Sequence, residues 1–240
     1  MCGRYASTRS SADLAALFEA LDETEGELAP DYNVAPTDPV AIVRRSARTP
    51  ARLLCVARWG LVPAWSPDPS GAARMINARV ETVATSRAFA RSFAERRCLV
   101  PADGWYEWVR LAGGGKQAYY MTRPDGESLA FAGIWSAWSA GPSPLITFSV
   151  LTMPAEGPLA RVHDRMPLFL EPVKWESWLT GPQPMGLLGP PSPEYASGIE
   201  LRPVSAAVGN VRNDGPDLVR AVAGPSPTES TMDSSNSTLF

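Results

Sequence analysis

The sequence predicts a single α+β domain that is rich in strands, a barrel or sandwich with flanking helices. The chain has 240 residues, 45% of them hydrophobic, which is enough to bury a large core. Short alternating segments typical of strands outnumber the segments with helical periodicity. From Gly224 onward the composition shifts to Gly, Pro, Ser and Thr. We therefore expect a folded domain over residues 2–222 and a disordered tail over 223–240.

Three segments carry a helical pattern. Apolar residues at positions 14, 17, 18 and 21 recur at i, i+3, i+4 and i+7, which predicts a helix over residues 11–21. Ser10 or Ser11 can cap this helix. A second helix is predicted over 85–96, with Thr85 or Ser86 as its cap, and a third over 171–179.

The remaining regular segments alternate as strands do, and turn residues separate them. Gly113 to Gly115 predict a hairpin turn. Clustered prolines predict loops over residues 22–38 and 181–193. The predicted strands cover residues 40–44, 51–61, 98–100, 105–111, 117–123, 128–138, 145–152, 166–170 and 201–205.

The cysteine and histidine counts exclude several classes of site. The chain has one histidine, His163, and three cysteines, none of them in a CxxC pair. This excludes a site built from several histidines, the usual zinc-ligand spacing and a fully paired disulfide framework. We therefore expect no metal, no cofactor and a reduced, cytoplasmic setting. Neither a signal peptide nor an apolar run of about 20 residues is visible, so no membrane partner is expected.

The charge is unevenly distributed along the chain. The formal net charge is −3, yet residues 40–100 hold eleven arginines and three acidic residues, a local charge of +8. A basic segment in an acidic chain predicts a local face that binds phosphate groups. The alternative is that these arginines scatter over several faces once the chain folds.

The most specific chemical feature is the start of the chain, MCGRY. Methionine is removed when the next side chain is small, so the mature protein is expected to begin with Cys2. An N-terminal cysteine carries a thiol and an α-amine of pKa roughly 7.7–8.0. The amine can condense with an aldehyde to an imine, and the thiol can close it to a thiazolidine. The alternative is a chance cysteine on a frayed terminus.

Several uncommon motifs in order resemble those of one family. They are MCGRY, YNVAPT at 32–37, RWGLVPAW at 58–65, INARVET at 76–82, LVPADGWYEW at 99–108, AGIW at 132–135, HDRMP at 163–167 and PVSAAVGNVRNDGPDL at 203–218. Together they resemble the SRAP family, the SOS-response-associated peptidases or abasic-site-processing proteins, over nearly the whole folded chain. The resemblance implies a distorted β-barrel, and covalent capture of abasic sites in single-stranded DNA through Cys2.

The resemblance adds catalytic partners to Cys2, each with a structural alternative. Glu107 lies between aromatics on a predicted strand, where burial would raise its pKa and suit it to proton transfer; otherwise it faces solvent. His163 would assist opening of the sugar ring, although a lone histidine is usually structural. Asn77 would position the amine or a sugar hydroxyl, or else be a turn residue. Glu81 is expected to have a structural role, fixing an arginine.

The resemblance also implies residues that contact DNA. Asn77 and Arg79 would emerge on one face of an extended segment, next to a phosphate. Trp59 and Trp65 flank a Gly-Leu-Val-Pro-Ala stretch, and Trp65 is the better candidate for stacking on a base. The six tryptophans other than these two are assigned to the core. Ser66 departs from the family pattern, where a second aromatic can follow. The DNA-binding set is Arg4, Asn33, Pro36, Trp65, Arg79, Arg87 and Arg165.

The sequence therefore predicts a monomeric protein that forms a thiazolidine cross-link with abasic sites in single-stranded DNA, associated with the nucleoid when bound to damage. Because an imine also permits β-elimination, lyase activity is a parallel expectation, as is self-processing of Met1. Two alternatives stay open: a thiol peptidase with Cys2 as nucleophile and His163 as base, and a non-catalytic module that binds single strands.

Overall fold

The structure is a computed structural model that describes residues 2–111, 113–141, 143–182 and 184–224. Most of the predicted tail, 223–240, lies outside these residues, so the domain boundary stays a prediction. The helices are α1 (Ser11–Leu17), α2 (Ala90–Glu95), α3 (Pro172–Thr180) and α4 (Pro193–Ser197). The strands are β1 (Tyr5–Ser7), β2 (Ala20–Asp22), β3 (Asp31–Val34), β4 (Pro39–Arg45), β5 (Arg52–Trp59), β6 (Asn77–Arg79), β7 (Arg97–Ala102), β8 (Gly104–Arg110), β9 (Lys116–Thr122), β10 (Leu129–Trp138), β11 (Leu145–Pro154), β12 (Arg165–Pro167) and β13 (Glu200–Val204).

Five strands close into a barrel. The ring runs β5, β4, β7, β10 and β11, each pair antiparallel, and it closes where β11 pairs with β5 in parallel. This closing pair is short, joining Arg58 to Thr147 and Trp59 to Phe148. Closure leaves these strands without a free edge and fills the interior with their inward side chains. The predicted fold class, a distorted β-barrel with flanking helices, is confirmed.

A second sheet packs on the barrel, with strand order β13, β9, β8, β1 and β3. Side chains alternate along β8 as expected for a strand buried on both faces. Trp105 and Val109 belong to the main core, whereas Tyr106 lies in a separate apolar cluster on the other face. Tyr5 of β1 meets the barrel residue Trp59 edge to face, with ring centroids 5.1 Å apart. The main core is therefore shared by the barrel and the second sheet.

Two predicted helices are shorter than their sequence patterns suggest. The prediction of a helix over 11–21 is wrong beyond Leu17, because Glu19 takes a φ of 50° and residues 20–22 pair with β5 as strand β2. The predicted helix over 85–96 begins at Ala90, so neither Thr85 nor Ser86 caps it; Phe89 does, without a side-chain hydrogen bond. The predicted loop over 22–38 contains β3, which pairs with β1.

The arginines of residues 40–100 scatter over several faces. Arg45 and Arg52 both pair with Glu176 of α3. Arg97 is buried, and its guanidinium donates to the last carbonyls of α2 and α3. Arg44 stacks on Trp135. The local charge of +8 therefore does not form one continuous basic face.

The described helices are too short or too polar to cross a membrane, since none of them offers a long apolar stretch.

Cys55 and Cys98 are buried in the barrel strands β5 and β7. Neither forms a disulfide, and both pack as small residues in the core.

Candidate active site

The start of the chain lies in the interior of the fold. Strand β1 runs antiparallel to β8, with Tyr5 opposite Trp105, and the carbonyl of Arg4 accepts a hydrogen bond of 2.9 Å from the amide of Tyr106. Continuing this register places Gly3 opposite Glu107. Cys2 is fully buried, with 0% of its surface exposed. The cysteine is thus held beside the glutamate by strand pairing.

A short strand brings Asn77 to the same place. Strand β6 pairs in parallel with β11, and the indole of Trp59 donates to the carbonyl of Ile76 at 2.9 Å. These contacts fix the backbone on which Asn77 stands. Its Nδ2 donates a 2.8 Å hydrogen bond to the carbonyl oxygen of Cys2. Its Oδ1 is buried and accepts no hydrogen bond from any part of the chain that the structure describes.

Glu107 is a carboxyl group enclosed in the interior of the protein. Only 3% of the residue is exposed, and burial raises the pKa of its carboxyl from 4.5 to about 7. The Asp164 carboxylate adds to this rise through like-charge repulsion. Burial also raises the pKa of the Cys2 thiol, and the Glu107 charge raises it further. The thiol and the carboxyl are therefore within electrostatic reach of each other, and the thiol is held in its protonated form.

His163 is partly buried, just before β12. Its Nδ1 accepts a 2.9 Å hydrogen bond from the backbone amide of Arg165, which fits a neutral ring with its proton on Nε2. Asp164 Oδ1 lies 2.7 Å from the same Nδ1 and favours the charged ring instead. Burial outweighs this exposed carboxylate and lowers the pKa of His163. Burial therefore disfavours the charged ring, whereas the Arg165 amide and the Asp164 carboxylate make opposite demands on Nδ1 of the neutral ring.

Arg4 and Asn33 tie the start of the chain to its last loop. Arg4 Nη1 donates to Asn33 Oδ1 at 2.8 Å and to the carbonyl of Val208 at 3.0 Å. Asn33 is buried, and its Nδ2 donates to the carbonyls of Asn210 and Asn213. Asn33, predicted to contact DNA, thus has both ends of its amide engaged within the protein; the motif at 203–218, which contains both loop asparagines, is the only sequence signal for this contact.

The aromatic and basic candidates lie on the surface. Trp65 is 57% exposed, and the Arg87 guanidinium lies over its ring, 4.6 Å from the centroid. Arg79, at the end of β6, is also exposed, and its side chain makes no hydrogen bond or ion pair within the described residues. Trp59, the other tryptophan that flanks the motif, is fully buried. Pro36 is half-buried in the turn after β3.

Arg165, unlike Arg79, has its guanidinium engaged by a carboxylate. It forms a two-pronged ion pair with Glu81, in which Nη2 lies 3.0 Å from Oε2. Its Nη2 also donates to the carbonyl of Thr152 on β11. The arginine side chain is 11% exposed. The expectation that Glu81 fixes an arginine is confirmed. Asp164, which influences both His163 and Glu107, was not singled out from the sequence, since only its position beside His163 signals it.

Comparison with known families adds independent evidence. The family described as SOS response associated peptidase (SRAP) matches residues 1–211. The "Abasic site processing protein YedK" of Escherichia coli is 34% identical over 233 residues, covering 92% of this chain and all of that protein. The "Abasic site processing protein YoqW" of Bacillus subtilis is 31% identical, with 92% and 100% coverage. The "Abasic site processing protein HMCES" of Gallus gallus is 31% identical, covering 91% of this chain and 77% of that one.

Solved structures share the fold. A crystal structure of a protein from Bacteroides thetaiotaomicron superposes with a TM-score of 0.79 at 22% identity, covering 92% of this chain and all of that one. A second, from Bordetella bronchiseptica, gives a TM-score of 0.72 at 27% identity, with 85% and 100% coverage. The motif order, the closed barrel and the family match agree, and the chain belongs to the SRAP family.

Proposed function

We propose that this protein processes abasic sites in single-stranded DNA by binding the ring-opened sugar covalently through Cys2. The observation that carries the proposal is the burial of Cys2 between Asn77, which holds its carbonyl, and Glu107, whose pKa lies near neutrality. The relatives named abasic site processing proteins support the same substrate. Removal of Met1, by an aminopeptidase or by the protein itself, supplies the free α-amine.

The first step joins the amine to the aldehyde of the open sugar. The nitrogen attacks the carbonyl carbon, a proton moves from nitrogen to oxygen, and water leaves to give an imine. Asn77 Oδ1, buried and available, accepts from the amine and orients its lone pair. Glu107 in its protonated form donates to the departing hydroxyl group, so the imine forms in its protonated state and Glu107 is left as a carboxylate.

The second step closes the ring. Sulfur bonds to the carbon of the protonated imine, the thiol proton passes to a base and the nitrogen keeps its own proton, so no oxidant or reductant is required. Because burial raises the pKa of the Cys2 thiol, a resident thiolate is disfavoured and a base must remove the proton during attack. Glu107, left as carboxylate by the first step, is suited to this role.

His163 supports an earlier event, the opening of the closed sugar. A neutral imidazole carries one N–H group, and such a donor near the ring oxygen favours the open aldehyde. At the imine stage, loss of the proton next to the imine carbon would expel the 3′ phosphate. Strand cleavage of this lyase type is therefore a parallel outcome of the same chemistry.

The surface residues suit a single strand. Trp65 presents an exposed ring on which a base can stack, and the adjacent Arg87 adds positive charge. Arg79 follows Asn77 by two residues and extends into solvent beside the site. Of the remaining predicted contacts, Arg4 and Pro36 are partly exposed on the β1 side, whereas Asn33 is buried and would act by holding Arg4. Base stacking and phosphate contacts of this kind do not depend on sequence.

The test is a cross-linking experiment. A uracil-containing oligonucleotide treated with uracil-DNA glycosylase is mixed with the protein and resolved on a denaturing gel. We expect a covalent band that Cys2→Ala abolishes and that the buried-thiol control Cys55→Ala retains. A variant that keeps one extra residue before Cys2 should also fail, since a thiazolidine needs the free amine. Absence of a covalent band for the unaltered protein would refute the proposal and favour a non-catalytic binding module.

The thiol peptidase is the second candidate, and the family description favours it. A cysteine peptidase relies on a thiolate paired with an imidazolium. Burial raises the pKa of the Cys2 thiol and lowers that of His163, so both groups are held neutral. If the protein cleaves peptides in a way that depends on Cys2 and His163, and forms no DNA cross-link, the thiol peptidase becomes the better-supported function.

A further inference from the structure

The turn between β3 and β4, residues 35–38, contains a strained residue. Thr37 has a φ of 80°, in the left-handed region of the backbone. A β-branched side chain is rarely found there, because its Cβ lies too close to the following carbonyl oxygen. Glycine adopts the same conformation without this cost. The chain therefore has a threonine at a position where the backbone conformation favours glycine.

This turn lies at the edge of the candidate site. It directly follows β3, which pairs with β1, the strand that begins just after Cys2. The backbone amide of Thr37 donates a 2.8 Å hydrogen bond to the carbonyl of Trp59. The indole of the same Trp59 donates to the carbonyl of Ile76, the residue before Asn77. The turn is therefore anchored to the elements that hold both Cys2 and Asn77.

The backbone donors of the turn are already used. The Ala35 amide donates to Asp38 Oδ2 at 2.8 Å, and the Asp38 amide donates to the Ala35 carbonyl at 3.1 Å. Pro36 has no amide proton, and the Thr37 amide is bound to Trp59. The Thr37 hydroxyl, by contrast, is partly exposed and makes no hydrogen bond within the described residues. In this part of the described chain it is the one donor left for a ligand.

We propose that the Thr37 hydroxyl donates a hydrogen bond to a backbone phosphate of the bound single strand, next to the abasic nucleotide. Threonine hydroxyls are common donors to phosphate oxygens, and hydrogen bonds to charged acceptors are the stronger ones. Strained residues cluster at active sites and in segments that bind ligands. Pro36, expected from the sequence to contact DNA, directly precedes Thr37. The inference rests on the proposed function for the identity of the strand.

The first test uses an oligonucleotide that carries tetrahydrofuran in place of the abasic sugar. This analogue has no aldehyde, so fluorescence anisotropy measures its noncovalent binding. Thr37→Val keeps the size and the branched Cβ but removes the hydroxyl, and we expect a dissociation constant about 10-fold higher. Thr37→Ser keeps a hydroxyl and should stay within about 2-fold of the unaltered protein. Thr49→Val, the same change on the exposed β4–β5 hairpin, is the matched control and should bind normally.

A substitution in the DNA identifies the acceptor. Each phosphate beside the tetrahydrofuran is replaced, one at a time, by an uncharged methylphosphonate. At one of these positions Thr37→Val should weaken binding no further, because the hydrogen bond has already been lost with the phosphate charge. If the effects of Thr37→Val and of the methylphosphonate add at every position, the hydroxyl does not contact a phosphate and the proposal is overturned. Equal affinity of Thr37→Val and the unaltered protein overturns it as well.

A second readout concerns the strain. Thr37→Gly removes both the strain and the hydroxyl, so we expect Tm to rise by about 2–4 °C while binding weakens as in Thr37→Val. Opposite effects on stability and on binding are what a residue kept for its ligand would show, whereas a merely structural threonine would not separate them. A lower Tm together with unchanged binding would overturn the inference.

These measurements separate the inference from the proposed function. If binding of the tetrahydrofuran strand depends on Thr37 as expected, but the unaltered protein forms no cross-link with a natural abasic site, the proposed chemistry is refuted and the phosphate contact stands. If cross-linking depends on Cys2 while Thr37→Val binds and reacts like the unaltered protein, the phosphate contact is overturned and the proposed function stands.

Discussion

Replacing Glu107 by Gln keeps the size of a nearly buried side chain and removes its titration. Burial raises the pKa of this carboxyl from 4.5 to about 7 in the folded protein. Between these two values the folded chain keeps a proton that the unfolded chain has released. The free energy of unfolding of the unaltered protein therefore falls as pH rises through this range.

The size of the effect follows from the two pKa values. Their separation corresponds to about 3 kcal/mol, lost progressively between about pH 4.5 and about pH 7. Glu107→Gln lacks this loss, so its stability relative to the unaltered protein should improve by about 3 kcal/mol over the same range. His163, whose pKa is lowered, changes stability in the opposite direction, but it does so in both proteins and cancels from the difference.

Urea unfolding followed by tryptophan fluorescence, near both ends of the range, measures this difference. Glu95→Gln, an exposed glutamate, serves as the control and should run parallel to the unaltered protein. Parallel curves for Glu107→Gln as well would show that the carboxyl titrates normally, and would remove the reason for assigning it both acid and base roles near neutral pH.

Three further perturbations have defined outcomes. Arg97→Met removes the donor to four backbone carbonyls at the ends of α2 and α3, and should lower the free energy of unfolding by about 4 kcal/mol in urea titration; a loss below about 1 kcal/mol contradicts it. Gly133→Ala places a Cβ 2.8 Å from Cys98 Sγ, so overpacking should cost about 1–3 kcal/mol by thermal unfolding, whereas an unchanged Tm would mean that the barrel relaxes freely. Trp65→Ala should weaken binding of an undamaged single-stranded oligonucleotide by about 1–3 kcal/mol in fluorescence anisotropy, without loss of stability; equal affinity would exclude stacking on this ring.

Strand positions could be predicted from alternation because most strands here are buried on at least one face. The observed β7 to β11 begin and end within about two residues of the predicted segments. Alternation along β8 puts Glu107 on the same face as Trp105 and Val109, and this face belongs to the main core. Such patterns depend on local sequence alone.

The features that the sequence did not predict depend on contacts between residues that are distant in the chain. The apolar stripe of the helix predicted over 11–21 includes Leu21. In the structure Leu21 is 61% exposed, because residues 20–22 pair with β5 instead of continuing the helix. Parallel pairing of β5 with β11 closes the barrel, and no local sequence pattern predicts this pairing. In the site, the ion pair between Arg165 and Glu81 joins residues 84 positions apart in sequence. The motifs indicated which residues belong to the site, but not which of them bind one another.

The short closing pair of the barrel has a consequence for synthesis of the protein. Strand β5 leaves the ribosome long before β11, so the nascent chain must wait until residues 147–148 emerge before the barrel can close. Cys2 also acquires its native surroundings only then. Asn77, which donates to the Cys2 carbonyl, lies on β6, and β6 pairs with β11. Cys2 is therefore among the last residues to be enclosed. During this interval the segment around Cys2 is open to processing enzymes, and its thiol has not yet acquired the surroundings that hold it protonated.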